Sequence, residues 1–430
     1  MKLTHKDTEV FHLGDSKYDS PLNVPHFIDD DSRVIARVEF NQNDLEGQIR
    51  DYPSFENAGP RKKLFFNPEE TSAAVVTCGG LCPGLNNVIQ SIVLQLYRQY
   101  GVKRILGVRY GYEGLNPEFN HPFVELNPAA VEGIDRTGGT VLGTSRGMQD
   151  VSVLVDTLVR ENIQILFTVG GDGTLRGANA LFEEIKKRKL EIAVVGVPKT
   201  IDNDISLIDR TFGFETAVAE ATRVIYSAHA EAKSARNGIG LVKLMGRDSG
   251  FIAAYTALAS NDVNFVLIPE SPFLLEGENG FLVNLKRRLE KKGHAVVVVA
   301  EGAGQEYFNN RNEKDSSGNR KHGDIGIFLR DQIIEYFKNQ NFHINLKYID
   351  PSYIIRSTPP SSDDAVSCIM LAQNAVHGAM SGRSNIVIGR WNSYYTFLPI
   401  PLAVRERKKI DPSGYLWSIV KEATGQSEFV

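Results

Sequence analysis

Ile165-Leu166-Phe167-Thr168-Val169 leads directly into Gly170-Gly171-Asp172-Gly173-Thr174, and an amphipathic pattern then runs from Leu175 to Lys187. A short β-favouring run, a glycine-dense turn and a helical period together predict strand, turn and helix. The next segment repeats the plan. Ile192-Ala193-Val194-Val195-Gly196-Val197 is a second apolar run, and Pro198-Lys199-Thr200-Ile201-Asp202-Asn203-Asp204 follows at its carboxyl end. Strands that are apolar on both faces belong to parallel sheets covered by helices on each side. Ligands of such open sheets bind beyond the carboxyl ends of the strands. The two turns therefore put glycines, a hydroxyl and three carboxylates where a ligand is expected, and metal-assisted phosphoryl transfer uses that equipment. The chain reads as a kinase.

Working outward, Ala73-Ala74-Val75-Val76-Thr77 predicts another strand. It leads through Gly79-Gly80-Leu81-Cys82-Pro83-Gly84 into a helix over Asn86 to Tyr100, and Arg104 to Val108 is the next strand. A second set of units starts at Gly238, with strands over 239–244, 264–268 and 295–300 and helices over 251–259 and 280–292. Ser357-Thr358-Pro359-Pro360-Ser361-Ser362 reads as a breaker and N-cap, followed by a helix to about Met380. Residues 305–323 read as a polar surface loop. Residues 1–72 are polar and turn-rich, and read as an extension lying outside the main sheet. The expected architecture is α/β: two Rossmann-like three-layer sandwich domains with a cleft between them, plus the N-terminal extension. One domain spans 73–213, completed by about 357–398; the other spans 214–356, completed by about 399–430.

Composition sets outer limits. The chain has 430 residues, which predicts two to three domains at about 150 residues each. It is 42% hydrophobic and 23% charged, with a formal net charge of −4, so no global basic field recruits nucleic acid. No apolar run approaches the roughly 18 residues of a membrane span. The first ten residues mix Lys, His, Asp and Glu, unlike a secretory signal. Three cysteines, at 78, 82 and 368, argue for a reducing, cytoplasmic setting and against a disulfide framework. No Cys or His pair completes a zinc site around Cys78 and Cys82.

Neither a G-x-x-x-x-G-K-[ST] loop nor the H-R-D and D-F-G elements of protein kinases occur. Gly170 to Thr174 must hold phosphate through backbone N–H groups at a helix N-terminus, with glycine allowing close approach. Asp172 repels phosphate unless Mg²⁺ lies between them, and Mg²⁺ is commonly held by one or two carboxylates plus substrate phosphates. Such G-G-D-G turns also open lipid, sphingoid-base and NAD kinases, so the turn alone does not name the acceptor. Transfer to a hydroxyl needs a carboxylate within hydrogen-bond reach of it, and Asp202 suits that role. Asp204, two residues on along an extended stretch, projects to the same side, where it can help with metal or stiffen the loop. Arg146, on the glycine-rich loop from Gly138 to Gly147, suits bidentate phosphate binding. Arg247, Glu301 and Tyr353 to Arg356 are read as strand-end groups, with the two arginines placed to clamp an acceptor phosphate.

Six ordered motifs resemble those of the phosphofructokinase family across roughly residues 73–400. They are T-C-G-G-x-x-P-G-x-N at 77–86, G-G-T-x-L-G-x-x-R at 138–146, G-G-D-G-T at 170–174, T-I-D-N-D at 200–204, M-G-R at 245–247 and the acidic strand end at 301. The resemblance implies Mg²⁺-assisted transfer from ATP to the 1-hydroxyl of fructose 6-phosphate. It implies Asp202 as general base, with Thr200 and Arg247 beside it in catalysis, and Asp172 as the Mg²⁺ carboxylate. Gly80, Arg146, Gly147, Gly170, Gly171, Asp172, Gly173 and Thr174 are the implied ATP contacts. Thr200, Ile201, Asp202, Met245, Gly246, Arg247, Glu301, Tyr353 and Arg356 form the implied sugar-phosphate set. Arg236 and Lys347 match positions that reach the 6-phosphate from a neighbouring subunit, which implies a homo-oligomer, a tetramer or dimer.

Three departures stand out: Tyr353 where many bacterial relatives carry His, Lys347 where many carry Arg, and Leu81 where an acidic residue is common. The family also contains pyrophosphate users, which usually carry Asp at the position of Gly173 and Lys at that of Lys199. This chain combines Gly173 with Lys199. A carboxylate at 173 would crowd the nucleotide's α-phosphate whereas Gly leaves room, so ATP is the expected donor and pyrophosphate the alternative. A non-catalytic nucleotide-sensing subunit is the reading from another class.

Overall fold

The computed structural model describes residues 3–40, 51–147, 149–308 and 321–429. Two compact units emerge, and the chain passes between them repeatedly. The first comprises residues 1–200, 205–213 and 358–407; the second comprises 201–204, 214–357 and 408–430.

The first unit is built on a nine-stranded sheet. Its parallel core places Ser72–Thr77 between Arg104–Val108 and Ile165–Gly170, with Ala193–Pro198 and Ile386–Trp391 continuing outward. Val75 lies opposite Phe167 and Val195 opposite Phe167 on the other side. Ser72–Thr77, Ile165–Gly170 and Ala193–Pro198 are buried throughout, which accounts for their lack of polar alternation. From Ser72–Thr77 the chain first steps to one side, to Arg104–Val108, and then to the other, to Ile165–Gly170. That reversal makes a topological switch point, where loops leave adjacent strands in opposite directions.

The N-terminal segment corrects the sequence reading. Arg33–Ile35 and Ser54–Asn57 extend the main sheet as antiparallel strands beyond Tyr394–Pro399, rather than lying outside it. Residues 41–50 of the expected extension lie outside the described residues. Charge pairing explains why so polar a segment docks. Glu56, only 2% exposed, takes Arg61 at 3.1 Å and Arg383 at 2.5 Å, and both guanidinium groups also reach Asp30. Burial pushes the Glu56 carboxyl up, but His12 and Arg383 outweigh it and hold it at about 2. Both arginines lie over the Phe397 ring as well. A polar composition thus became an interior network because each charge met its opposite.

In the second unit four strands are parallel, in the order Phe265–Leu267, His294–Ala300, Gly238–Leu244, Asn345–Ile349. Ala295 to Ala300 are fully buried, and Ala295, Val297 and Val299 pack with Leu285 and Leu289 of the helix Phe281–Lys292 and Leu329 of the helix Ile325–Asn339. Of the polar loop expected over 305–323, residues 309–320 lie outside the described residues, and Gln305–Tyr307 forms a single 3-10 turn. The expected helix over 86–100 is α-helical from Leu85–Leu94 and widens into a π turn over Gln95–Tyr100. The three cysteines are buried thiols. No helix among the described residues is long and apolar enough to cross a membrane.

Candidate active site

At the switch point of the first unit, two glycine-rich loops are bound to each other and to the strand that leads into a third. Cys78 donates its N–H to the Val169 carbonyl at 3.0 Å, and Gly79 donates to the Ser145 carbonyl at 3.1 Å. Thr144 Oγ1 donates back to the Gly79 carbonyl at 2.7 Å, and Thr77 Oγ1 donates to Gly143 at 2.8 Å. Loops 78–84, 138–147 and 170–174, far apart in sequence, therefore share one strand-end surface. Arg146 is exposed beside Gly80, and a Cβ at Gly80 would lie 3.3 Å from its guanidinium. Lys199 is 6% exposed, and its ammonium donates to the Gly80 carbonyl at 2.7 Å, so it braces the first loop from beneath.

The helix expected from Leu175 begins earlier, at Asp172, with Gly171 as its N-cap. Gly173 and Thr174 consequently lie in the first turn, where N–H groups have no intrahelical partner. Gly173 is exposed, and a Cβ there would meet nothing within 4 Å. Asp172 is half-buried and faces two cations. Arg176, one turn on, donates from Nε at 3.0 Å, and Arg407 approaches at 3.6 Å. Both contacts fall on Oδ2. Arg176 also donates to the Val404 carbonyl, which steadies it. Neither arginine carries a motif in the sequence, so neither was singled out; Arg176 could have been read from its i,i+4 spacing to Asp172.

The second unit carries the other group. Residues 201–204 are not extended as the sequence reading supposed: Asn203 has a φ of +54° and is 1% exposed, so the chain turns sharply between the two carboxylates. Arg247 N–H donates to Asp202 Oδ2 at 3.4 Å, and Ser249 Oγ donates to the Asp202 carbonyl at 3.3 Å. Burial, then the charges of Asp204 and Glu301, push the Asp202 carboxyl up to about 7, against the opposing pull of Arg356 and the Arg247 N–H. Glu301 ends the strand His294–Ala300 and lies 3.9 Å from Arg356. Gly246, with φ +131°, lets the M-G-R turn close against the Gly302 N–H, which donates to the Gly246 carbonyl at 3.0 Å.

Not all the expected sugar-phosphate residues gather there. Met245 is fully buried, so it can offer a ligand only its backbone, and Ile201 is 7% exposed. Tyr353 and Arg356 sit on the one-turn helix Ser352–Arg356 rather than at a strand end, with Tyr353 83% exposed. Arg236 precedes the strand Gly238–Leu244, whereas Arg247 follows it, so the length of that strand separates them. Lys347 is exposed on Asn345–Ile349, an edge strand. Thr200 ends the first unit's segment, and its carbonyl accepts from Thr211 Oγ1 at 2.6 Å.

A family model described as Phosphofructokinase matches residues 72–379, spanning both groups. The chain belongs to the phosphofructokinase family. It is 49% identical over 440 residues to a protein of Borreliella burgdorferi named ATP-dependent 6-phosphofructokinase, covering 99% of this chain and 98% of that one. A protein of the same name from Amycolatopsis methanolica is 45% identical over 448 residues, covering 99% and 96%. Among solved structures, the pyrophosphate-dependent phosphofructokinase of Nitrosospira multiformis superposes with a TM-score of 0.67 at 18% identity, over 84% of this chain and 92% of that one. A likeness at that identity concerns the fold.

Proposed function

We propose that this member of the phosphofructokinase family is an ATP-dependent 6-phosphofructokinase, transferring a phosphoryl group from ATP to the 1-hydroxyl of fructose 6-phosphate. The observation that carries the reading is the surroundings of Asp202: a half-buried residue whose carboxyl is raised toward neutrality and takes the Arg247 N–H, whose main-chain carbonyl takes the Ser249 hydroxyl, and which has Arg247 and Glu301 at strand ends and Arg356 on a short helix around it. A base with a pKa near working pH is the best compromise between being deprotonated and being able to take a proton. Asp202 would receive the hydroxyl proton. Arg247 and Arg356 would hold the sugar's phosphate, Glu301 would accept from its hydroxyls, and backbone groups of Thr200, Ile201, Met245 and Gly246 would fit its edges. Arg236 and Lys347, exposed and away from Asp202, suit contact with the 6-phosphate bound by a second copy of the chain in a homo-oligomer.

On the donor side, Gly170 to Thr174 present helix N-terminal N–H groups, Gly80 and Gly147 allow close approach, and Arg146 supplies a guanidinium. The Asp172 carboxylate fits Mg²⁺, because both arginine contacts use Oδ2 and Oδ1 would be left to ligate the metal. When bound, Mg²⁺ would offset charge on the transferring group. The open space at Gly173 and the ATP-dependent relatives at 45–50% identity support ATP. Lys199 is committed to the Gly80 carbonyl, a bracing role compatible with either donor. Three buried thiols and the composition suit the cytoplasm.

A coupled assay with fructose 6-phosphate and Mg²⁺, run in parallel with ATP and with pyrophosphate, tests the reading. Turnover with ATP alone is expected. Turnover with pyrophosphate alone overturns the donor assignment, and none with either donor overturns the reaction.

A further inference from the structure

Glu270 follows the strand Phe265–Leu267 by three residues and belongs to none of the motifs above. Its Oε1 accepts two backbone N–H groups, from Gly250 at 3.1 Å and from Ile410 at 2.9 Å. Its Oε2 is buried without a hydrogen-bond partner among the described residues. Gly250 admits the carboxyl: a Cβ there would collide with Ile268 and lie 3.1 Å from Glu270 Oε2. Gly250 is also the N-cap of the helix Phe251–Ser260 and has no side-chain cap of its own, so Glu270 supplies a carboxylate at that helix start.

Both segments joined by Glu270 hold the Asp202 turn. One is 247–250, where Arg247 N–H reaches Asp202 Oδ2 and Ser249 Oγ reaches the Asp202 carbonyl. The other is 408–410, where Lys408 N–H donates to the Asp204 carbonyl at 2.9 Å. A single oxygen therefore fastens both supports of the turn. We propose that Glu270 is a positioning residue for phosphoryl transfer: by clamping Gly250 to Ile410 it fixes where the Arg247, Ser249 and Lys408 donors hold Asp202 and Asp204. The proposal rests on the reading of Asp202 as base.

The chemistry distinguishes a clamp from a charge. Both donors use one oxygen, so a glutamine keeps the acceptor and loses only the charge, whereas alanine loses the acceptor. Burial raises the Glu270 carboxyl, against the Ile410 and Gly250 donors, its own N–H and Lys409, so charge at this site is already disfavoured. Asp202 itself faces Asp204, Glu301 and Arg356 as well as the Arg247 N–H. Loosening the 247–250 segment weakens a donor that favours the ionised Asp202, so the base should titrate at higher pH.

The test uses the full chain, with kcat and KM for both substrates measured against pH. E270A should lower kcat by roughly 10- to 100-fold, the cost of a displaced reacting group, with its acid limb moved to higher pH and KM for ATP little changed. E270Q should recover most of kcat and place the limb at or below the wild-type position. In a D202N background, E270A should cost little further, because residues acting as a unit are not additive. If D202N alone keeps kcat, the reading of Asp202 as base fails. If D202N loses kcat but E270A leaves kcat and the limb unmoved, or adds its full loss to D202N, the positioning role alone fails. E270Q as slow as E270A likewise overturns the clamp. Should E270A not fold, E270D, one methylene short of both donors, carries the same expectations.

Discussion

Asp172 and Asp202 end successive strand-to-turn segments of the chain, yet their neighbours have opposite charge. Asp172 has Arg176 and Arg407 on one oxygen. Asp202 has Asp204 and Glu301 nearby, with Arg356 and an N–H only partly offsetting them. The same residue type is thus prepared for two tasks. The carboxylate between two arginines is the one proposed to meet the metal, while the one crowded by anions in a buried place gains proton affinity and suits the proposed base. Arg176 and Asp204 lie within four residues of the carboxylates they affect. The Arg247 N–H comes from 45 residues away, and the other partners from more than 90.

The sharpest way to break this contrast is Asp202→Asn. It should lower kcat by about 10²–10⁴, read in steady-state turnover of a folded variant; an unchanged kcat removes Asp202 from the role of base. The same variant should be more heat-stable at alkaline pH. The folded carboxyl, at about 7, titrates above its unfolded value of about 3.9. Protonation therefore favours the fold below the unfolded value, and that stabilisation is lost as pH rises through 7. The asparagine has no such loss, so the gap in Tm should be closed near pH 4, open as pH rises toward 7 and stay open above it.

Asp172→Asn keeps the shape and an acceptor for Arg176 but removes the charge proposed for the metal. The Mg²⁺ concentration needed for half-maximal turnover should rise at least as much as when an outer-shell partner is lost, about 10- to 100-fold. An unchanged Mg²⁺ dependence would assign Asp172 to its arginines alone. Gly173→Asp comes next. The added side chain meets open space, so Tm should stay put while KM for ATP rises about tenfold or more, or about 1.4 kcal/mol. Intact ATP kinetics would end the crowding argument. The smallest effect is expected of Glu301→Gln in the pH profile. Removing an anion that raises Asp202 should move the acid limb of kcat/KM to lower pH by a fraction of a unit, and a limb that moves upward would contradict the electrostatic account.

Much of this was legible in the sequence because it is local. Apolar runs flanked by glycine turns marked Ile165–Gly170, Ala193–Pro198, Gly238–Leu244 and His294–Ala300 to within a residue or two, since burial on both faces leaves nothing polar to confuse the period. The glycine turns and the T-I-D-N-D stretch were legible for the same reason. Residues 33–35 and 54–57 were misread because the polarity of this segment only makes sense once Arg61 and Arg383 converge on Glu56 and Asp30.

The sequence alone determined the α/β class, the strand-end turns and the residue types held there, because backbone sterics and hydrophobic period act over a few residues. Tertiary structure alone decided that Asn203 turns back between two carboxylates, that Arg407 meets Asp172, and that Glu270 joins Gly250 to Ile410. Those are long-range electrostatic and hydrogen-bond matters, in which a residue's character depends on the neighbours the fold brings to it.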